Sequence, residues 1–106
     1  MTTTTAQPRS TEPRTAGLER RIAQDPGGFR VLTGDRPTGA LHLGHYFGSL
    51  RNRVRLQDLG VDVIVLIPDY QVITDRDTAD RLGEYTDGLL LDSLALGLDP
   101  ARSTVF

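Results

Sequence analysis

The chain has 106 residues, 12 basic and 14 acidic side chains, a formal net charge of −2 and no cysteine. That length holds one small domain, the charge excludes a generally basic nucleic-acid-binding surface, and the missing cysteines exclude disulfides and thiolate metal sites. No apolar run approaches the roughly 20 residues that cross a bilayer, and the N-terminus lacks the apolar stretch of a secretory signal, so composition predicts a soluble, cytoplasmic protein without a membrane partner.

In chain order, residues 1–28 form the first region. Thr2 to Thr5, Pro8, Pro13, Pro26 and Gly27-Gly28 interrupt any period, and apolar residues are scarce. This predicts a disordered N-terminal extension, with room for a short helix around Leu18 to Ala23. Its charges nearly cancel: Arg9, Arg14, Arg20 and Arg21 stand against Glu12, Glu19 and Asp25. A domain is expected over residues 29–106. Phe29 to Thr33 reads as a first buried strand, and a glycine-punctuated loop follows, Thr33-Gly34-Asp35-Arg36-Pro37-Thr38-Gly39. A helix is predicted from about Leu43 to Leu59, with Leu43, Phe47, Leu50, Val54 and Leu56 at helical spacing and Gly60 as its stop. Arg51, Arg53 and Arg55 alternate around that helix and read as a solvated face.

Val61 to Pro68 is almost entirely aliphatic, the pattern of a central parallel strand covered on both faces. A second helix is predicted from about Thr78 to Leu96, capped by Asp77 or Thr78 and ended by Gly97. Leu82, Tyr85, Leu89, Leu90, Leu94 and Leu96 would form its broad core face. Ser103 to Phe106 opens a third strand. The order βαβαβ is half of an α/β, Rossmann-like doubly wound fold with a parallel sheet. In such folds ligands bind beyond the carboxyl ends of the strands, so the loops Gly34 to Leu41 and Pro68 to Arg76 would meet at one crevice.

The first of those loops carries the chemistry. A glycine-bearing loop between strand and helix lets backbone approach a phosphate, and the helix start attracts negative charge. His42 and His45, three residues apart, share one helix face. Pro37-Thr38-Gly39 followed by His42-Leu43-Gly44-His45 resembles the HIGH signature of class I aminoacyl-tRNA synthetases. The longer string TGDRPTGALHLGHYFGSL is similar to the tryptophanyl version of it. Downstream, Val63 to Asp75, ending in PDYQVITD, resembles the second strand and loop of the same family. The resemblance runs from about Phe29 to Phe106. Two motifs in family order are far more specific than HxGH alone, which nucleotidylyltransferases also carry.

The resemblance implies ATP-dependent activation of tryptophan to tryptophanyl-adenylate, then transfer to tRNA(Trp). His42 and His45 would be catalytic, stabilising charge on the α-phosphate. Arg36, Pro37, Thr38, Gly44 and His45 would bind ATP, with Arg36 and Thr38 donating to phosphate oxygens and Gly44 letting adenine lie flat on the backbone. Leu32, Gly34, Pro68 and Gln71 match positions bordering the amino-acid pocket. For Asp69 and Gln71, capping the loop and contacting substrate both remain open readings. Mg2+ would come with ATP and no protein-bound metal is expected, since neither a cysteine nor a third histidine exists to join the pair.

The family also carries a lysine-containing KMSKS-like signature and an anticodon domain. With no lysine in the sequence, the chain resembles the amino-terminal part of a synthetase, homodimeric when whole and inactive as this piece alone. Histidines at both ends of the signature also bring it toward the tyrosyl relatives, which makes a tyrosyl fragment the nearest alternative. A second alternative is a non-catalytic fragment that binds a nucleotide or a partner. The 78 residues from Phe29 onward are few for a stable core, domains of this size burying only roughly 60% of their unfolded surface.

Overall fold

The structure, a computed structural model, describes residues 13–72 and 80–106. Helix α1 (Arg14–Gln24) and a 3-10 turn (Pro26–Gly28) precede strand β1 (Arg30–Gly34). Next comes a continuous helical rod in three parts: α2 (Leu43–His45), a π-helical turn (Tyr46–Leu50) and α3 (Arg51–Leu59). Strand β2 (Asp62–Leu66), a 3-10 turn (Asp69–Val72), α4 (Leu82–Ala95) and β3 (Ser103–Val105) complete the order. The three strands are parallel and lie side by side as β1-β2-β3. This is the expected half of a doubly wound fold.

Alternation along the strands separates two unlike faces. On one, Val63 and Val65 are buried, with Val31 and Val105 beside them in register. Ile22 of α1, Leu56 of α3, Val61 and Leu98 close this core. On the other face Leu32 is 66% exposed, and Phe106, just past β3, is 64% exposed. The expectation that β2 is covered on both faces therefore holds fully for one side only among the described residues, Ile64 and Leu66 on the other being half-buried.

Three further departures have physical causes. Ile22 gives α1 an apolar anchor and Glu19 pairs with Arg55 at 3.0 Å, so the helix runs over Arg14–Gln24, longer than the one expected around Leu18 to Ala23. Residues 1–12 lie outside the described region, as do Asp77 and Thr78, the expected caps. The apolar spacing from Leu43 to Leu56 does not form one stripe: Leu43 and Phe47 are 74% and 62% exposed, whereas Leu50 and Leu56 are buried. The π turn, in which the Arg51 amide donates to the Tyr46 carbonyl, inserts one residue and rotates the two halves of the rod by about 100° relative to each other. Finally, α4 buries only Leu89 and Ser93, leaving Leu91, Leu94 and Leu96 substantially exposed.

Buried polar groups tie the sheet to its helices. Gln57 of α3 is 2% exposed; its amide nitrogen donates to the Gly97 carbonyl at 3.0 Å. Its amide oxygen accepts from the Asp99 backbone at 2.7 Å and from the Ser103 hydroxyl at 2.8 Å. One side chain thus fixes α3, the turn after α4 and the start of β3.

Candidate nucleotide site

Parallel register makes Gly34 and Leu66 neighbours at the carboxyl ends of β1 and β2. The loops that follow therefore leave the sheet at the same edge, as the topology predicts. Gly34 is required there by contact: a Cβ would sit 2.6 Å from the Leu66 carbonyl oxygen. Beyond it, Pro37 is buried and anchors the loop, while Arg36 and Thr38 on either side are exposed. The Thr38 amide donates to the Arg36 carbonyl at 2.9 Å, which tightens the turn between them.

The two histidines cap the rod reciprocally. The Gly44 amide donates to His42 Nδ1 at 3.0 Å, and the His42 amide donates to His45 Nδ1 at 3.2 Å. The pattern is that of a capping box, with imidazoles in place of the usual Ser and Glu. Its chemical consequence follows from the rings themselves. A nitrogen that accepts a hydrogen bond carries no proton, so each neutral imidazole holds its proton on Nε2. The rings are 4.0 Å apart between centroids and tilted by 43°. Two N–H donors are thereby fixed side by side at the helix start, where the helix dipole adds partial positive charge. Gly44 is part of this device. A Cβ on it would lie 2.8 Å from His42 Cε1, so only glycine leaves room for the ring to fold back over the backbone.

Asp35 and Arg53 complete the neighbourhood, and neither was expected. Arg53 is 6% exposed, not solvated as its alternation with Arg51 and Arg55 had implied, and its guanidinium meets the Asp35 carboxylate at 2.5 Å. The spacing does contain the clue: Arg53 lies three residues after Leu50 and three before Leu56, both buried. The Asp35 charge is thus compensated inside the loop.

Two open grooves flank the signature. One, of about 520 Å³, runs between Leu41, His42, Leu43, Tyr46 and the Asp92–Leu96 end of α4. The other, about 250 Å³, lies between Gly39-Ala40 and Arg81, Glu84 and Tyr85. Arg81 pairs with Glu84 at 2.8 Å and holds its carboxyl below the usual carboxylate range through that hydrogen bond and charge. Leu32, Gly34, Pro68 and Gln71 line neither groove. Leu32 lies on the open sheet face, Pro68 is half-buried after β2, and Gln71 is exposed in the 3-10 turn. In that turn Asp69 accepts from the Tyr70 amide at 2.8 Å, the loop-capping role. The remainder of the second motif, from Ile73 to Asp75, falls outside the described residues.

Comparison with known proteins gives the geometry a family. The sequence profile of the class I tRNA synthetases (W and Y) matches residues 24–106. The chain belongs to the class I tRNA synthetases of this tryptophan and tyrosine group. Among relatives of this group, the tryptophan–tRNA ligase of Streptococcus pneumoniae is 50% identical over 78 residues, 72% of this chain and 23% of that protein. The chain thus spans about a quarter of the length of the curated relatives it matches. The Campylobacter jejuni tryptophanyl-tRNA synthetase, solved with ADP and tryptophan, superposes with a TM-score of 0.65 at 32% identity, over 74% of this chain and 24% of that one. The Archaeoglobus fulgidus tyrosyl-tRNA synthetase bound to L-tyrosine gives 0.66 at 28% identity, over 86% and 29%. Synthetase membership accounts for a parallel half-sheet with its polar signature at the carboxyl end of β1.

Proposed function

We propose that this chain is the signature-bearing part of the catalytic domain, residues 29–106, of a tryptophan–tRNA ligase. The reaction is attack of the tryptophan carboxylate on the α-phosphorus of ATP. A carboxylate oxygen–phosphorus bond forms, the bond to the bridging oxygen breaks, and pyrophosphate leaves with the electron pair. Tryptophanyl-adenylate then passes its acyl group to the terminal ribose of tRNA(Trp). The observation that carries this reading is the reciprocal cap of His42 and His45, which leaves two Nε2–H donors fixed at a helix start. In-line phosphoryl-type transfer needs positioned donors more than a protein nucleophile.

In this reading His42 and His45 are the catalytic donors. Arg36, Thr38 and the turn anchored by Pro37 hold phosphate oxygens, and Gly44 keeps the helix start open to the nucleotide. Mg2+ arrives on the ATP phosphates; among the described residues no three His, Asp or Glu side chains gather as ligands. Leu32, Gly34, Pro68 and Gln71 border the amino-acid pocket, and Gly34 stands next to the carboxyl end of β2. A cytoplasmic homodimer is the state of the whole enzyme. Support for tryptophan over tyrosine is the 50% identity to a tryptophan–tRNA ligase.

The test is calorimetric titration of the purified 106-residue chain with Mg-ATP, its folding checked by circular dichroism. Saturable binding of Mg-ATP by the folded chain, abolished in His42→Ala/His45→Ala, is the expected outcome. A folded chain that ignores Mg-ATP overturns the assignment of the site to this segment.

A further inference from the structure

The Arg53–Asp35 pair has no adequate explanation in stability. A buried ion pair contributes little net stability once desolvation is counted, and this one is incompletely satisfied: Arg53 Nε is buried with no hydrogen-bond partner among the described residues. The pair joins two elements with different roles. Arg53 belongs to α3, which is packed on the sheet through Leu56, whereas Asp35 directly follows Thr33-Gly34 in the signature loop. Its carboxylate precedes Arg36 directly and Thr38 by three positions. Left unpaired, that negative charge would sit inside the loop that has to receive a triphosphate.

We infer that Arg53 is a positioning residue for nucleotide binding: by holding and neutralising Asp35, it fixes the 34–39 turn so that Arg36 and Thr38 face an anion without a competing carboxylate. This rests on the nucleotide reading above. It differs from a purely structural role in one consequence: removing only the arginine weakens binding beyond what its loss of stability explains.

The experiment compares Mg-ATP affinity in four forms of the full chain: wild type, Arg53→Met, Asp35→Asn and the double substitution. Leu56→Ala serves as a core variant destabilised away from the loop. Arg53→Met is expected to weaken binding about tenfold, the order of effect of one uncompensated unit charge near a bound anion at an effective dielectric near 20. The double variant is expected to regain most of that loss, while Leu56→Ala, wherever it remains folded, binds as wild type does. Arg53→Lys, which keeps the charge but not the planar fork, falls between. If Arg53→Met does not fold, the double variant, with no buried charge left over, is compared directly with Asp35→Asn, which strands Arg53. Affinities that follow thermal stability alone, or a double variant no better than Arg53→Met, overturn the proposal. Amide hydrogen exchange of residues 35–39 is read in parallel. Should the wild type fail to bind Mg-ATP, the nucleotide reading is what fails. Faster exchange there in Arg53→Met than in Leu56→Ala would still establish that the pair positions the loop, and equal exchange would refute it.

Discussion

At the scale of single residues, the signature depends on where protons sit. His42 and His45 each spend Nδ1 on a backbone amide, which commits Nε2 to donation. Replacing His42 with alanine removes a donor and a cap together. We expect a loss of about 1 kcal/mol in helix stability, visible in urea denaturation, and a clear drop in Mg-ATP affinity by calorimetry. Gly44→Ala tests the same device without touching either ring's chemistry. Its Cβ would displace the His42 imidazole, so binding should weaken even though both histidines remain. A variant that binds normally would show that the cap is irrelevant to the site. Sequence alone identifies these residues through their order, but it cannot reveal that Gly44 serves the fold of a side chain. Nor does it distinguish Arg53 from Arg51 and Arg55, because identical residues at alternating positions differ only in which face the packed helix turns inward.

At the scale of elements, two contacts decide how the pieces hold. Gln57 binds three backbone or hydroxyl partners from the region 97–103. Gln57→Leu fits its volume but strands those groups, and should destabilise the chain by about 1–3 kcal/mol in chemical denaturation. At the start of α4, Arg81 holds the Glu84 carboxyl below its ordinary range, through its hydrogen bond first and its charge second. The sign follows directly: a carboxyl held below its ordinary range stabilises the fold above that range and loses its contribution as pH falls through the lowered value. Both side chains are exposed, so the effect is small and screened by salt. The melting-temperature difference between wild type and Glu84→Gln should shrink in acid and in molar salt; a difference that persists in both would exclude the ion pair as its source. The π turn is the element-scale surprise. A 3.6-residue period extrapolated through Tyr46–Leu50 assigns Leu43 and Phe47 to the core, and one inserted residue undoes that.

For the whole molecule, stability rests on a single layer of core. Ile22, Leu56, Val61, Val63, Val65 and Leu98 pack on one sheet face, and the other presents Leu32 and Phe106 to solvent. A domain of this size has only about 5–15 kcal/mol of stability, and Leu56→Ala should remove about 2–5 kcal/mol of it. Unfolding in urea would shift to markedly lower concentration. The open apolar face, bordered by edge strand β1, predicts concentration-dependent self-association. Leu32→Asp should reduce that association in sedimentation runs with little change in melting temperature, since Leu32 is already 66% exposed. Stability falling as far as in Leu56→Ala would mean this face is packed in solution.

The sequence by itself determined the order of strands and helices, the position of the signature motif after β1 and the family, because these depend on local periodicity, turn residues and a contiguous motif. Only the tertiary structure decided which sheet face is covered, that Arg53 is buried against Asp35, that Ile22 draws the region before Phe29 into the core, and that the histidines cap one another. Those properties arise from residues distant in sequence or from the rotation of one helical segment on another, and no linear pattern encodes that rotation once a single π turn has interrupted it.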